Sequence, residues 1–162
     1  MNPELAAKQL IELTWEHGFP VDPVTIARTI GVDVLETSLP NQVSGALIKE
    51  IGEDAKIVIH HLDSNNRKRF SCSHELGHYV SRVESNNEDK EYEYIDFRDH
   101  TSSNGDKKDE VFANQFAACL LMPKEKVQEL SQSKKSHMAM ALFFGVSNEA
   151  MKYRLQNLNL LC

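Results

Sequence analysis

The run Phe70-Ser71-Cys72-Ser73-His74-Glu75-Leu76-Gly77-His78 constrains this chain more than any other stretch. It contains the pattern H-E-x-x-H, and no Pro interrupts the sequence from Ser64 to Arg82. In an α-helix, residues four apart sit about 40° from one another and one turn apart, so His74 and His78 share a face. Two imidazoles so placed can hold one metal ion, usually Zn²⁺. Glu75 lies about 100° round the helix from His74. There it can reach a water beside the ion without being a ligand. Phe70, His74, Gly77, His78 and Ser81 share one side, and a Gly inside a buried helix marks a place where another backbone comes close.

The second helix supplies what such a site lacks. The pattern predicts a helix from about Lys108 to Met122, stopped by Pro123. Glu110, Ala113, Asn114, Ala117 and Ala118 fall on one face of it. Small residues along that stripe allow close approach to Gly77, which brings the Glu110 carboxylate within reach of the histidine pair. An acid at a helix N-terminus is favoured by the dipole alone, but the small-residue stripe favours the ligand reading. Asn114, one turn on, is placed to hydrogen-bond a metal ligand.

The rest of the chain frames these two helices. Asn2-Pro3 and Asp22-Pro23 are helix starts, with stops at Gly18 and Gly31. Leu5, Ala6, Leu10, Leu13 and His17 recur at helical spacing in the first helix, and the pair is expected to cover a sheet. Strands are predicted at Val32 to Leu35, Val43 to Lys49 and Lys56 to His60, the last two joined by Ile51-Gly52-Glu53-Asp54. An open edge on this hairpin would receive an extended peptide; a plain structural hairpin is equally consistent with the residues. Asp63 is the expected N-cap of the H-E-x-x-H helix, and Arg67, Lys68 and Arg69 are expected to face solvent.

Tyr92, Tyr94, Ile95 and Phe97 suggest a short strand, and residues 101–106 a loop. Pro123 opens a further helix through Leu130. The tail then reads as a helix, a turn at Gly145, a Ser147 N-cap and a second helix, as in a helix-turn-helix.

Charge and composition exclude several classes. The net charge of −6 argues against a protein built to grip phosphate backbones. Residues 84–110 carry ten acids against four bases, the whole of that excess, and read as a solvated segment. The second helix of the tail has only Lys152 and Arg154, opposed by Glu149, so direct nucleic-acid binding is disfavoured and packing is expected. No apolar run reaches the roughly 18 residues of a membrane span. The N-terminus has no basic region followed by an apolar one, so no secretory signal is expected. Cys72, Cys119 and Cys162 fit reduced thiols of a cytoplasmic protein.

The two helices, with Leu120-Leu121-Met122-Pro123 and Phe144-Gly145-Val146-Ser147, resemble the ImmA/IrrE family of metallo-endopeptidases over about residues 20–158. The resemblance implies an α+β, zincin-like fold with a small, mainly antiparallel sheet. It implies one metallopeptidase domain over 1–162: N-terminal helices at 1–31, a catalytic core at 32–123 and a helical tail at 124–162. It implies His74, His78 and Glu110 as metal ligands, Glu75 as general base, and Zn²⁺ as cofactor, with Mn²⁺ an alternative occupant. The implied substrate is a partner protein, a co-encoded helix-turn-helix repressor whose cleavage derepresses its genes. The long acidic segment and Cys72 depart from the family pattern without touching the ligand set. Tyr92, Tyr94, His100, His137 and Tyr153 are candidate oxyanion donors, whereas His17, His60 and His61 read as structural or surface residues. Two rivals of another class are a non-cleaving protein that sequesters a regulator and a DNA-binding module using the tail. A deformylase is disfavoured, because Cys119 lies in Ala118-Cys119-Leu120 and not in the Gly-Cys-Leu context that enzyme needs.

Overall fold

The structure, a computed structural model, describes residues 1–85, 90–97 and 106–161. In chain order the elements are α1 (Pro3–Thr14), α2 (Pro23–Thr29), β1 (Asp33–Thr37), β2 (Val43–Lys49), β3 (Lys56–His60), α3 (Asn65–Glu84), β4 (Tyr92–Phe97), α4 (Lys107–Leu121), α5 (Lys124–Gln132), α6 (His137–Phe144) and α7 (Asn148–Asn157). The arrangement is α+β, as expected. His100 and most of the expected loop at 101–106 lie outside the described residues.

The four strands form one sheet in the order β1-β3-β2-β4. β1 runs parallel to β3, while β2 pairs antiparallel with both β3 and β4. The hairpin β2–β3 therefore sits inside the sheet, and its expected open edge is covered by β4. Among the described residues the edges are β1 and β4. Pairing of β2 with β4 joins segments some fifty residues apart in sequence, which no local pattern announces. One face of the sheet is packed. Val34, Leu47, Ile57 and Ile59 meet Leu76 and Cys72 of α3 and Phe116 and Leu120 of α4 in the main core. Each such side chain, fully buried, contributes on the order of 1.5–3 kcal/mol.

Helices α3 and α4 cross where Gly77 faces Ala113. A Cβ added at Gly77 would stand 3.0 Å from the Ala113 Cα, so the two backbones come close here and a larger residue would have to push α4 back. The N-terminal helices differ from expectation. α2 packs on α3 and β1, whereas α1 packs chiefly on α4. Its inward residues are Ala6 and Ala7, with Leu10 and Ile11 half-buried, while Leu5 and Leu13 point to solvent. Small side chains are the ones that let α1 lie close on α4.

A second core joins the end of α4 to the tail. It holds Leu121, Met122, Val127, Met140, Phe144, Met151 and Leu155. The tail is the predicted helix–turn–helix in outline. Gly145 ends α6 at φ +65°, and the Ser147 hydroxyl accepts the Ala150 N–H to start α7. Of its two basic residues Lys152 is exposed, but Arg154 is not presented to solvent. Arg154 is buried, donating Nε–H to the Met122 carbonyl (2.9 Å) and an Nη2–H to Glu4 Oε1 (2.6 Å). Among the described residues no helix is long and apolar enough to cross a membrane.

Candidate metal centre

The N-cap of α3 is Ser64, whose hydroxyl accepts the Arg67 N–H, not Asp63. From there the helix descends into the protein, and every side chain from Ser71 to His78 is buried. Its basic first turns are not solvated as expected. Arg67 Nη2 donates to Ser44 Oγ (2.8 Å), Lys68 pairs with Glu36 (3.2 Å), and Arg69 donates to the carbonyls of Phe144 and Gly145 (both 3.1 Å). All three fasten α3 to other elements.

Three predicted site residues converge. His74 Nε2 lies 3.3 Å from Glu110 Oε2, His78 Nε2 lies 3.0 Å from Glu110 Oε1, and the two Nε2 atoms are 3.2 Å apart. Ligand atoms around a tetrahedral ion with bonds of roughly 2.0–2.1 Å stand about 3.3 Å apart. The two imidazole nitrogens have that separation, and each has one oxygen of the Glu110 carboxylate at a similar distance, so the three side chains are candidates to hold an ion of that size.

The histidines are held from behind. Asn114 Oδ1 can only accept, so at 2.9 Å it takes the His74 Nδ1–H and leaves the Nε2 lone pair facing the other donors. Tyr94 stacks on His78 with ring centroids 4.4 Å apart and planes 14° from parallel, and the Arg82 guanidinium lies over Tyr92 at 4.5 Å.

Glu75 is 0 % exposed, and neither carboxylate oxygen has a hydrogen-bond partner. It rests against β2 at Gly45, where a Cβ would lie 3.5 Å from Oε1. Burial raises its pKa to about 8, with the Asp96 and Glu110 carboxylates adding to the rise and His74 opposing it. Burial also pulls His74 down. Glu110, Glu75 and Asp96 outweigh it and raise that imidazole to about 8. The pocket is one that stabilises positive charge.

Asp96, on β4, was not foreseen. Its carboxylate comes within 4.8 Å of both His74 and Glu75. The acidic segment thus turns a second member, besides Glu110, toward the histidines. A β-bulge accounts for this: Val43 pairs with Phe97 and Gly45 with Asp96, so Ser44 is the extra residue on β2. Ser44 is fully buried, receives Arg67, and shares its own proton between Asp96 Oδ2 (3.3 Å) and the Asp96 carbonyl (3.4 Å). The Ser-Gly pair in Val43-Ser44-Gly45 was the sole local hint.

Of the candidate oxyanion donors, Tyr94 is brought against the candidate ligand His78, face-on to its ring. Tyr92 is half-buried beneath Arg82, His137 opens α6 at an exposed position, and Tyr153 is 59 % exposed on α7. His60 Nδ1 accepts the Leu39 N–H and His17 packs on Trp15, the structural roles expected of them.

The solved structure of a Mycobacterium tuberculosis transcriptional regulator is similar to the chain, with a TM-score of 0.66 at 16 % identity. The match covers 95 % of this chain and 46 % of that one, so the chain spans less than half the length of that neighbour. The likeness is one of fold. No curated protein resembles the chain closely enough to count as a relative. A family model, Peptidase_M78, described as the IrrE N-terminal-like domain, matches residues 27–156 and takes in both helices of the centre. The small mixed sheet, the helix bearing two histidines and the helix bearing the carboxylate are those of a peptidase family, and the chain belongs to the IrrE N-terminal-like domain family.

Proposed function

We propose that the chain is a zinc-dependent endopeptidase of the ImmA/IrrE type, working as a single metallopeptidase domain on a partner repressor. The observation that carries this reading is the convergence of His74, His78 and Glu110 to within 3.0–3.3 Å, beside a buried carboxylate that bonds to nothing. A purely structural ion would need no Glu75. In this reading His74, His78 and Glu110 hold Zn²⁺, or Mn²⁺ in its place. When bound, such an ion acidifies a water molecule and polarises a peptide carbonyl.

The chain's own residues do the remainder. Glu75, with no other partner, takes the proton of the attacking water and hands it to the departing amine. Burial keeps its basicity above that of an ordinary carboxylate, which suits it to both halves of the transfer. Asn114 fixes the ring of His74, and Tyr94 fixes that of His78. The outer edge of β4, whose inner side carries Asp96 and Tyr94 to the centre, is a surface on which an extended substrate could add a strand. The buried Arg154 speaks against the tail as a DNA reader, since its one deep cation is spent on Glu4 and Met122. A regulator as substrate accords with the family and with the transcriptional regulator among its structural neighbours.

The test is to titrate the full chain with Zn²⁺ and incubate it with a helix-turn-helix repressor encoded beside it. One equivalent of metal should bind and the repressor should be cut at a defined bond. Glu75→Gln should keep metal and partner while losing cleavage by roughly a hundredfold to ten-thousandfold. A zinc-loaded wild type that binds the repressor and leaves it whole would replace cleavage with sequestration.

A further inference from the structure

A cleft of about 650 Å³ opens between α3, α4 and α7. It adjoins the metal centre directly. Asn114 lines it while accepting from His74, and the Phe70 ring on its wall is centred 6.4 Å from the His74 ring. The floor is apolar, formed by Phe70, Ala118, Met122, Val146 and Ala150.

The lining chemistry narrows the occupant. Arg67 and Arg154 both border the cleft, but their guanidinium groups are engaged by Ser44 and by Glu4 and Met122. Arg67 keeps a buried Nε without a hydrogen-bond partner, but the Glu149 carboxylate shares the lining and Glu4 answers Arg154, so the cleft offers an anion such as a phosphate no excess of positive charge. What the rim does offer is amides. The side chains of Asn66, Gln115 and Asn157 have no hydrogen-bond partner among the described residues. A side-chain amide both donates and accepts, which is what a peptide backbone requires of its neighbour. The volume lies within the range of sites that enclose a specific ligand.

The cleft is also built to keep its shape. Arg69 ties α3 to the carbonyls that close α6, and Arg154 ties α7 to the end of α4. Both walls are thereby pinned by charge-assisted hydrogen bonds, so little ordering is needed when a ligand enters.

We infer that this cleft seats a stretch of polypeptide substrate next to the bond to be cut, with a large apolar side chain on the floor and the amide rim on its backbone. The inference rests on the peptidase reading and names the side-chain preference of that same site. It gives the tail a role as the specificity wall of the centre.

Two measurements test it. The zinc-loaded full chain is given a positional-scanning library of end-blocked decapeptides, and the products are sequenced. Wild type should demand Leu, Met or Phe at one fixed position from the cut. Ala150→Trp, which fills the floor from α7, should lower kcat/KM for those peptides roughly tenfold or more with the bound-metal stoichiometry unchanged. Tyr153→Ala, at an exposed position on the rim, should broaden the preference without disturbing the fold. Equal side-chain preferences in all three proteins overturn the inference.

The second measurement needs no cleavage and separates this inference from the peptidase reading. Metal-free ¹⁵N-labelled protein is titrated with a Leu-containing end-blocked hexapeptide. Amide shifts at Ala118, Ala150 and Tyr153 in wild type, lost in Ala150→Trp, support the cleft even if no library peptide is cut. No shift at millimolar peptide overturns it, whatever the chain's activity.

Discussion

Two buried titratable side chains, one in the tail and one in the centre, make an instructive pair. Arg154, in the tail, is 4 % exposed and has both a carboxylate and a carbonyl to donate to. Glu75, in the centre, is 0 % exposed and has nothing. Burying a charge is costly unless hydrogen bonds and an opposite charge compensate. Compensation is complete at Arg154, which is what a residue needs in order to hold elements together. At Glu75 it is withheld, which leaves a group free to deal with a water or a proton. Burial alone does not separate structure from chemistry; the state of the partners does.

The contrast breaks first where neutralising the two charges should have opposite signs. Arg154→Met keeps the length and removes the donors, leaving Glu4 and the Met122 carbonyl unanswered. It should destabilise the chain by about 3 kcal/mol in urea unfolding. Glu75→Gln, in metal-free protein at pH 8, should stabilise it by on the order of 2–3 kcal/mol. If both variants lose stability, the two charges are alike and the distinction fails.

The pH dependence sharpens the same point. Folded Glu75 holds its proton up to about pH 8, whereas its unshifted carboxyl value is 4.5. Folding therefore takes up a proton in that interval, and stability must fall as pH climbs through it. His74, raised from 6.5 to about 8, acts in the same direction over the upper part of the range. Metal-free wild type should then melt at progressively lower temperature between pH 5 and 8.5. Saturating Zn²⁺ should flatten the slope, because the cation takes the place of the protons. A metal-free melting temperature that rises across this interval would contradict both assignments.

Smaller effects probe the supports. Asn114→Ala frees the His74 ring and should weaken Zn²⁺ binding about 10- to 100-fold in chelator competition, with global stability nearly unchanged. Gly145→Ala is milder still. It places a Cβ at φ +65°, 3.0 Å from Arg69 Nε, and should cost about 1 kcal/mol. Its effect should register in the tail and leave metal affinity as it was.

What the residues reveal in advance follows from how local the causes are. The histidine pair, the small stripe of α4 and its partner Gly77 are set by helical periodicity, and the contact at Ala113 is where that periodicity puts it. β2 and β3 match their predicted bounds to the residue, since alternation and the intervening turn are written within a short span. Long-range pairing is different. That β4 would cover β2, that Ser44 would bulge, and that Asp96 would turn inward depend on segments meeting from far apart. The arginines misled for a related reason. Arg67 and Arg69 resemble a solvated basic patch, yet their long stems let the guanidinium groups reach buried oxygens. In α1 the leucines drew attention, while the alanines made the contact.

The close backbones at Gly77 and Ala113 carry a wider implication. In the proposed centre the third donor rides on α4, and the closeness of α4 to α3 at that crossing goes with a single absent methyl group. Grip on a cation is in that sense a caliper reading of the gap between two helices. Anything that wedges them apart, from a swollen core to a push on α1 where it leans on α4, would loosen the ion from a place that never touches it.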